Sequence, residues 1–294
     1  MLYLRFPLKF QGKAMNMQKK HLFAAFIITF SINAHAALTT VDNGLGVYDS
    51  GLNVTWLQNG NLFATQANSY GGGAAAFVTT VINASGGVIQ DTPNSSDNAG
   101  PGYYNLSPSD FNTTTGAMDW WGAKAWVNYL NSISYGGVTG WSLPSISPVN
   151  GVSLQFPVSY DGSTDRGWNT QTINGTASQL AELYYTALGN VGLYNTAGVT
   201  QSGYGLNNSA PFTNLVKNVY WSGTEGVVPP STDPMYAWVF ATTNGAQGAG
   251  PKTNQYFAEA VYPGQISAVP IPGAFWLMGS ALMGMLGLSR RKKA

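Results

Sequence analysis

From residue 37 onward the chain holds no histidine and no cysteine, so its chemistry rests on carboxylates, hydroxyls and a few amines. The only histidines are His21 and His35, and cysteine is absent throughout. Nucleophile systems of the Ser-His-Asp and Cys-His types are excluded from that region, as are zinc sites built on Cys or His. No disulfide can form. Asp119, Glu182, Glu225 and Glu259 could supply the carboxylate pair that glycoside hydrolysis needs. Two of these have simpler readings, Asp119 as a helix cap and Glu182 as part of a helix face. No motif demands a cofactor. Asp161, Ser163 and Asp165, with Asn169 beyond them, do place oxygen ligands at alternate positions, which suits a hard cation such as Ca2+. The spacing departs from an EF-hand loop: Arg166 stands where glycine is needed and Thr172 replaces the bidentate glutamate. A turn in which Arg166 pairs with a neighbouring aspartate is the simpler reading.

The aromatic residues offer binding chemistry instead. A flat indole face complements the C–H patches of a sugar ring. Trp126, Trp141, Trp221 and Trp238 sit in patterned segments and are expected in the core. Trp168 lies in an irregular polar stretch and is the candidate for glycan contact.

These residues depend on elements that the pattern predicts. Residues 41–57 read as a hairpin, with Leu45–Tyr48 and Val54–Leu57 flanking a turn-rich stretch. Residues 74–84 form an expected helix, with Phe77, Val78, Val81 and Ile82 on one side. The stretch 85–115 is rich in Gly, Asn, Ser, Pro and Thr and reads as a long loop or insertion. Residues 119–133 give the clearest helix, capped by Asp119, with Trp120, Ala123, Val127 and Leu130 at helical spacing. Residues 155–173 read as irregular. A further helix spans 176–188, with Thr176 and Gln179 as a capping box and Gly189 as its stop. Strands follow at 219–222 and 236–241, then a turn at Asn244-Gly245 and a closing segment at 256–262. The expected class is α+β: two main helices and a mostly antiparallel sheet closed by the first and last strands.

Charge is distributed unevenly. The whole chain carries 13 Lys and Arg against 12 Asp and Glu. Nine of the cations lie before residue 37 or after residue 266. The body keeps Lys124, Arg166, Lys217 and Lys252 against all twelve acids, a net charge of −8. Such a body repels nucleic acid and anionic lipid, so nucleic acid is not an expected partner.

Both ends read as address labels. Lys19, Lys20 and His21 precede the apolar run 22–30, and Ala34-His35-Ala36 follows: a charged region, an apolar region and a small-residue cleavage site. Cleavage is expected after Ala36, with Met17 a plausible start and residues 1–16 upstream of it. At the other end stand Val269, Pro270, Ile271 and Pro272, then an uncharged run to Ser289, then Arg290, Arg291, Lys292 and Lys293. Counted from Ile266 to Ser289, the run reaches the roughly 20 residues that a bilayer requires. The four cations favour the cytoplasmic side. In that order these parts resemble a PEP-CTERM sorting signal of the Val-Pro-Leu-Pro-Ala type, with Ile271 a departure. The resemblance implies an exported Gram-negative envelope protein, carried by the Sec translocon, held in the inner membrane through its C-terminus, then processed by an exosortase-type protease. It also implies association with exopolysaccharide or biofilm, at the cell surface or in the extracellular matrix. An ordinary C-terminal transmembrane anchor is the simpler alternative.

The body carries a second resemblance. In order it shows residues 47–52 with Trp56, then 118–120 with Trp126, then Gly136-Gly137, Gly140-Trp141 and Leu143-Pro144. After these come Glu182–Tyr185, Tyr220–Ser222, Ala237-Trp238, Asn244-Gly245 and Pro263-Gly264. This set is similar to the Lcl C-terminal domain, named from a bacterial collagen-like adhesin. The resemblance implies a single C-type-lectin-like or related domain over residues 37–266, with 85–115 as an insertion, and a role in surface adhesion. Ser142 and Tyr262 stand where that family commonly has arginine, which weakens any expectation of an anionic ligand. The sequence therefore points to an exported, surface-sorted, non-catalytic protein that is adhesive or glycan-associated. The alternatives are a carboxylate-based glycan hydrolase and a generic membrane-anchored protein.

Overall fold

The computed structural model describes residues 37–96, 102–170, 178–229 and 233–266. The expected signal peptide with Ala34 and Ala36, the sorting motif and its membrane segment, and Thr176 lie outside the described residues. Among the described residues no helix is long and apolar enough to cross a membrane.

The chain opens with β1 (Leu38–Val41), β2 (Gly46–Asp49) and β3 (Val54–Leu57). The hairpin expected over 41–57 forms: β2 pairs antiparallel with β3, and Val47 lies opposite Trp56. The strand β1 is an addition on the outer edge, with Leu38 opposite Asp49. Next come α1 (Leu62–Ser69) and α2 (Ala74–Ala84). The second has the bounds its apolar spacing predicts, and Phe77, Val78 and Val81 are buried. The first was not foreseen, because Asn61 makes no side-chain cap and the helix is short.

Residues 85–115 are a correction to the sequence reading. They carry a hairpin of β4 (Val88–Gln90) and β5 (Tyr103–Asn105), with Ile89 opposite Tyr104. Strands of three residues bounded by Gly, Asn and Pro leave too little alternation to detect. The hairpin is fastened to the core by Tyr104, which stacks on Trp121 with ring centroids 3.8 Å apart.

Helix α3 (Trp120–Ser132) follows, and the Asp119 carboxylate accepts a 2.7 Å bond from the Gly122 amide, the expected cap. Its helical stripe is buried at Trp120, Ala123, Trp126, Val127 and Leu130, as is Trp121, but Ile133 at the end of the expected stripe is exposed. Past its end the Asn131 side chain accepts from the amides of Gly140 and Trp141 and donates to the Trp141 carbonyl, which holds the segment leading to Leu143.

Residues 155–173, expected to be irregular, contain two short strands, β6 (Val158–Ser159) and β7 (Arg166–Gly167), which pair in parallel. At Gly167 an added Cβ would lie 1.9 Å from the Ser159 carbonyl oxygen, so only glycine permits that approach. The later helix also begins differently from the expectation. Ser178, not Thr176, caps α4 (Gln179–Glu182), its hydroxyl accepting from the Ala181 amide. A π-helical turn continues over Leu183–Ala187, and Gly189 ends it at φ 64°.

The remaining strands are β8 (Val219–Gly226), β9 (Tyr236–Ala241), β10 (Ala246–Pro251) and β11 (Val261–Pro263). They complete a five-stranded sheet ordered β6-β7-β10-β9-β8 and a four-stranded sheet ordered β1-β2-β3-β11. The last strand thus closes on the first hairpin, as expected, with Val261 opposite Trp56. All strand pairs other than β6 with β7 are antiparallel. The class is α+β, with four α-helices among the described residues, α1 being the one the spacing did not predict.

Two apolar clusters fill the interior. One lies around α2 and α3 and includes Phe63, Phe77, Trp126 and Trp221. The other joins the first sheet to α4 and β8–β9 through Val47, Trp56, Leu183, Tyr220 and Phe240. Trp126, Trp141, Trp221 and Trp238 are buried, in keeping with their spacing. Indole N–H groups knit the layers: Trp120 donates to the Ser222 carbonyl and Trp221 to the Met118 carbonyl, each at 2.9 Å.

Candidate functional site

Trp168 follows β7 directly, so it stands at the rim of the five-stranded sheet rather than in a free loop. Its indole N–H donates to the Asn244 carbonyl at 3.2 Å. Tyr160 stacks on it at 5.5 Å and Tyr194 meets it edge-on at 4.6 Å. Two tyrosine rings and one hydrogen bond therefore fix its orientation. The indole lines an open trough of about 270 Å3. The floor comes from cross-strand pairs of small residues, Ala241 opposite Ala246 and Val239 opposite Gly248. An added Cβ at Gly248 would meet nothing within 4 Å. Tyr256 forms another part of the wall, its ring held against Trp221 at 4.8 Å and its hydroxyl accepting from Asn254. No carboxylate lines the trough, and Arg166 is its one charged residue. The arrangement offers a flat apolar floor between aromatic walls.

A second cleft of about 420 Å3 runs along α3, past Lys124, Asn128, Trp141, Ser142 and Thr224. Ser142, one of the two positions at which the sequence resemblance led to an expectation of arginine, opens onto this cleft. Tyr262, the other such position, packs its ring 6.0 Å from Trp141.

Beneath these surfaces lies a buried charged centre. The ammonium of Lys252 donates to Asp91 Oδ1 at 2.6 Å and to Glu225 Oε1 at 3.1 Å. The side chains of Lys252 and Asp91 are wholly inaccessible, while that of Glu225 keeps 29% of its exposure. Trp121 Nε1 donates to Asp91 Oδ2 at 2.8 Å, and the Thr92 hydroxyl donates to Glu225 Oε2 at 2.6 Å. The Trp120 ring lies 4.5 Å from the Lys252 nitrogen and 4.4 Å from that of Lys124. Burial raises the Asp91 carboxyl above its ordinary range, and a hydrogen bond with Glu225 adds to the rise. Burial also raises Glu225, but bonds from Asp91, Thr92 and Lys252 outweigh it and hold that carboxyl low. Asp91 is therefore the weaker acid of the two and Glu225 the stronger. A register shift in β8 between Trp221 and Glu225 puts Glu225 in place.

Sequence reasoning named Glu225 but missed Asp91 and Lys252. They lie 161 positions apart, and Asp91 belongs to the stretch read as loop. The available signal was scarcity: a body with only four cations has a use for each.

The other candidates fall in separate environments. Asp165 is buried, and its carboxylate accepts from the amides of Val149 and Gln155 at 2.8 and 2.7 Å. Asp161 is exposed and accepts from the Ser163 hydroxyl and amide, which hold its carboxyl below the usual range. Asn169 donates to the carbonyls of Tyr160 and Tyr194. The structure thus gives each of the three expected cation ligands its own protein partners. Among the described residues, no group of three or more His, Cys, Asp or Glu side chains could hold a metal ion. Asp119 is spent as a cap, and burial together with the Asp110 charge pushes it up to about 8. Glu182 ends α4, half-buried, and burial raises it. Glu259 is fully enclosed against Leu183, Tyr184 and Tyr220, with neither carboxyl oxygen hydrogen-bonded, and burial raises it well above the ordinary range. No two of these four line a common cavity of those described.

No family model matches the chain, and no curated protein or solved structure matches it.

Replacing Lys252 by Ala leaves two acids facing each other in the interior and is expected to cost about 3–5 kcal/mol, read from urea denaturation. Replacing the exposed Lys217 by Ala is expected to change stability by less than about 0.5 kcal/mol. Glu259 gives a pH signature. Its folded form holds a proton more tightly than the unfolded chain, so its contribution is fully present below about pH 4.5 and is lost as pH rises toward the folded value. The melting temperature of Glu259→Gln relative to the parent should therefore climb as pH rises above about 4.5.

Proposed function

We propose that this chain is an exported, surface-sorted protein of the envelope or exopolysaccharide matrix that binds neutral glycan without turning it over. On this reading the body is a C-type-lectin-like domain related to the Lcl C-terminal domain. A Sec-type signal peptide starts its export and an exosortase-type protease releases its C-terminal anchor. The observation that carries the proposal is the trough beside Trp168. Its floor is uncharged and its walls are Trp168 and Tyr256. A sugar ring stacks there without desolvating a carboxylate. The surrounding charge supports the neutral class: four cations against twelve acids repel a polyanionic chain. Ser142 and Tyr262, lacking the guanidinium groups of the similar family, support it as well.

The mature protein should be retained on neutral polysaccharides, including the host's own exopolysaccharide, and less on polyuronates. Trp168→Ala should weaken that binding about tenfold, the size of one good aromatic contact. Retention on no glycan at all would leave only a structural role. Mass spectrometry of the native termini tests the sorting: the molecule should begin near residue 37 and lack Arg290–Lys293.

A further inference from the structure

We propose that Lys252 and Asp91 become joined by a side-chain amide that the folded protein forms on itself, with Glu225 carrying the proton. The reacting groups are already in contact. The Lys252 nitrogen lies 2.6 Å from Asp91 Oδ1, and Glu225 Oε1 lies 3.1 Å from the same nitrogen. Attack requires a neutral amine and a neutral carboxyl. One proton crossing the 2.6 Å contact, from ammonium to carboxylate, provides both. The bond from the Asp91 carboxyl to ionised Glu225 favours that proton's place on Asp91.

The step balances. The amine nitrogen bonds to Asp91 Cγ, and negative charge grows on Oδ2, where the Trp121 N–H already donates at 2.8 Å. Glu225 takes a proton from the attacking nitrogen and returns it to the departing Oδ1 hydroxyl. The C–O bond breaks and water leaves. One ammonium and one carboxylate thus become one amide and one water, nothing is oxidised or reduced, and Glu225 ends ionised as it began. The surroundings favour the amide. Lys252 and Asp91 are shut off from solvent, and the rings of Trp120 and Trp121 stand against the ammonium. The part-exposed Glu225 gives the released water a way out. Folding has already fixed the two groups in place, which is the largest obstacle to condensing an amine with an acid. The bond would fasten the β4–β5 hairpin to the end of β10, across 161 positions, in a chain that has no disulfide to do so.

The test is peptide mapping and intact mass of the full chain as cells leave it. The expected mass falls one water short of the sequence between the observed termini. Trypsin should fail to cut after Lys252, and tandem spectra should show the peptide holding Asp91 linked to the one holding Lys252. Glu225→Gln should slow formation about a hundredfold while the near-UV spectrum stays native, and Lys252→Met should abolish the link. A full-weight protein cut normally at Lys252 would overturn the proposal. So would a water deficit confined to the Asp91 peptide, which marks a succinimide, or a Glu225→Gln variant that links as fast as the parent.

Discussion

The buried ammonium of Lys252 is the constraint around which the rest of the molecule is arranged. A lysine without solvent must be matched by charge and by hydrogen bonds, or it destabilises the fold by several kcal/mol. Here the partners come from three separate parts of the chain. Asp91 arrives on the β4–β5 hairpin, Glu225 on the bulged strand β8, and Trp120 and Trp121 on α3. The hairpin and α3 follow one another along the chain, whereas β8 and Lys252 come from far beyond them. Their meeting point fixes where the hairpin lies against the helix and how the end of β10 is held. The same centre explains why a segment composed like a loop is ordered: Asp91 and Tyr104 both engage Trp121.

Around that centre the protein uses aromatic rings in place of the bonds it lacks. With no cysteine available, buried indoles take the fastening role: their apolar bodies fill the core, and the N–H groups of Trp120, Trp126 and Trp221 reach carbonyl or amide oxygens. Packing of this kind leaves outer positions free to be small. The face of β9 and β10 toward the trough alternates alanine, glycine and valine, and Trp168 rises at its edge. The interior therefore determines the surface: bulky residues on one side of the sheet permit a shallow groove with an apolar floor on the other, Arg166 being its one charged residue.

Much of this was legible in the sequence, for identifiable reasons. Helices α2 and α3 showed because their apolar positions recur at helical spacing over more than two turns and Asp119 supplies a cap. The first hairpin, strand β9 and the turn at Asn244-Gly245 showed because apolar and aromatic runs of four to six residues meet strong turn residues. Strands of two or three residues, such as β4, β6 and β7, carry no readable period; they exist because tertiary contacts hold them. The candidate site divides in the same way. Trp168 stood out as an indole in a polar stretch, and Glu225 as one of few glutamates. Its partners Asp91 and Lys252 were hidden, because a contact across 161 positions leaves no local pattern. The expected cation ligands also have partners that the spacing did not reveal. Backbone amides from residues far outside the 161–169 spacing claim the Asp165 carboxylate.

The most direct measurement is native-state hydrogen exchange on Lys252→Ala beside the parent. If the ammonium centre holds the hairpin and the sheet together, amides of residues 88–105 and 219–226 should lose protection, while those of α2 keep theirs. Unchanged protection in the hairpin, or an even loss across every element, would contradict the account.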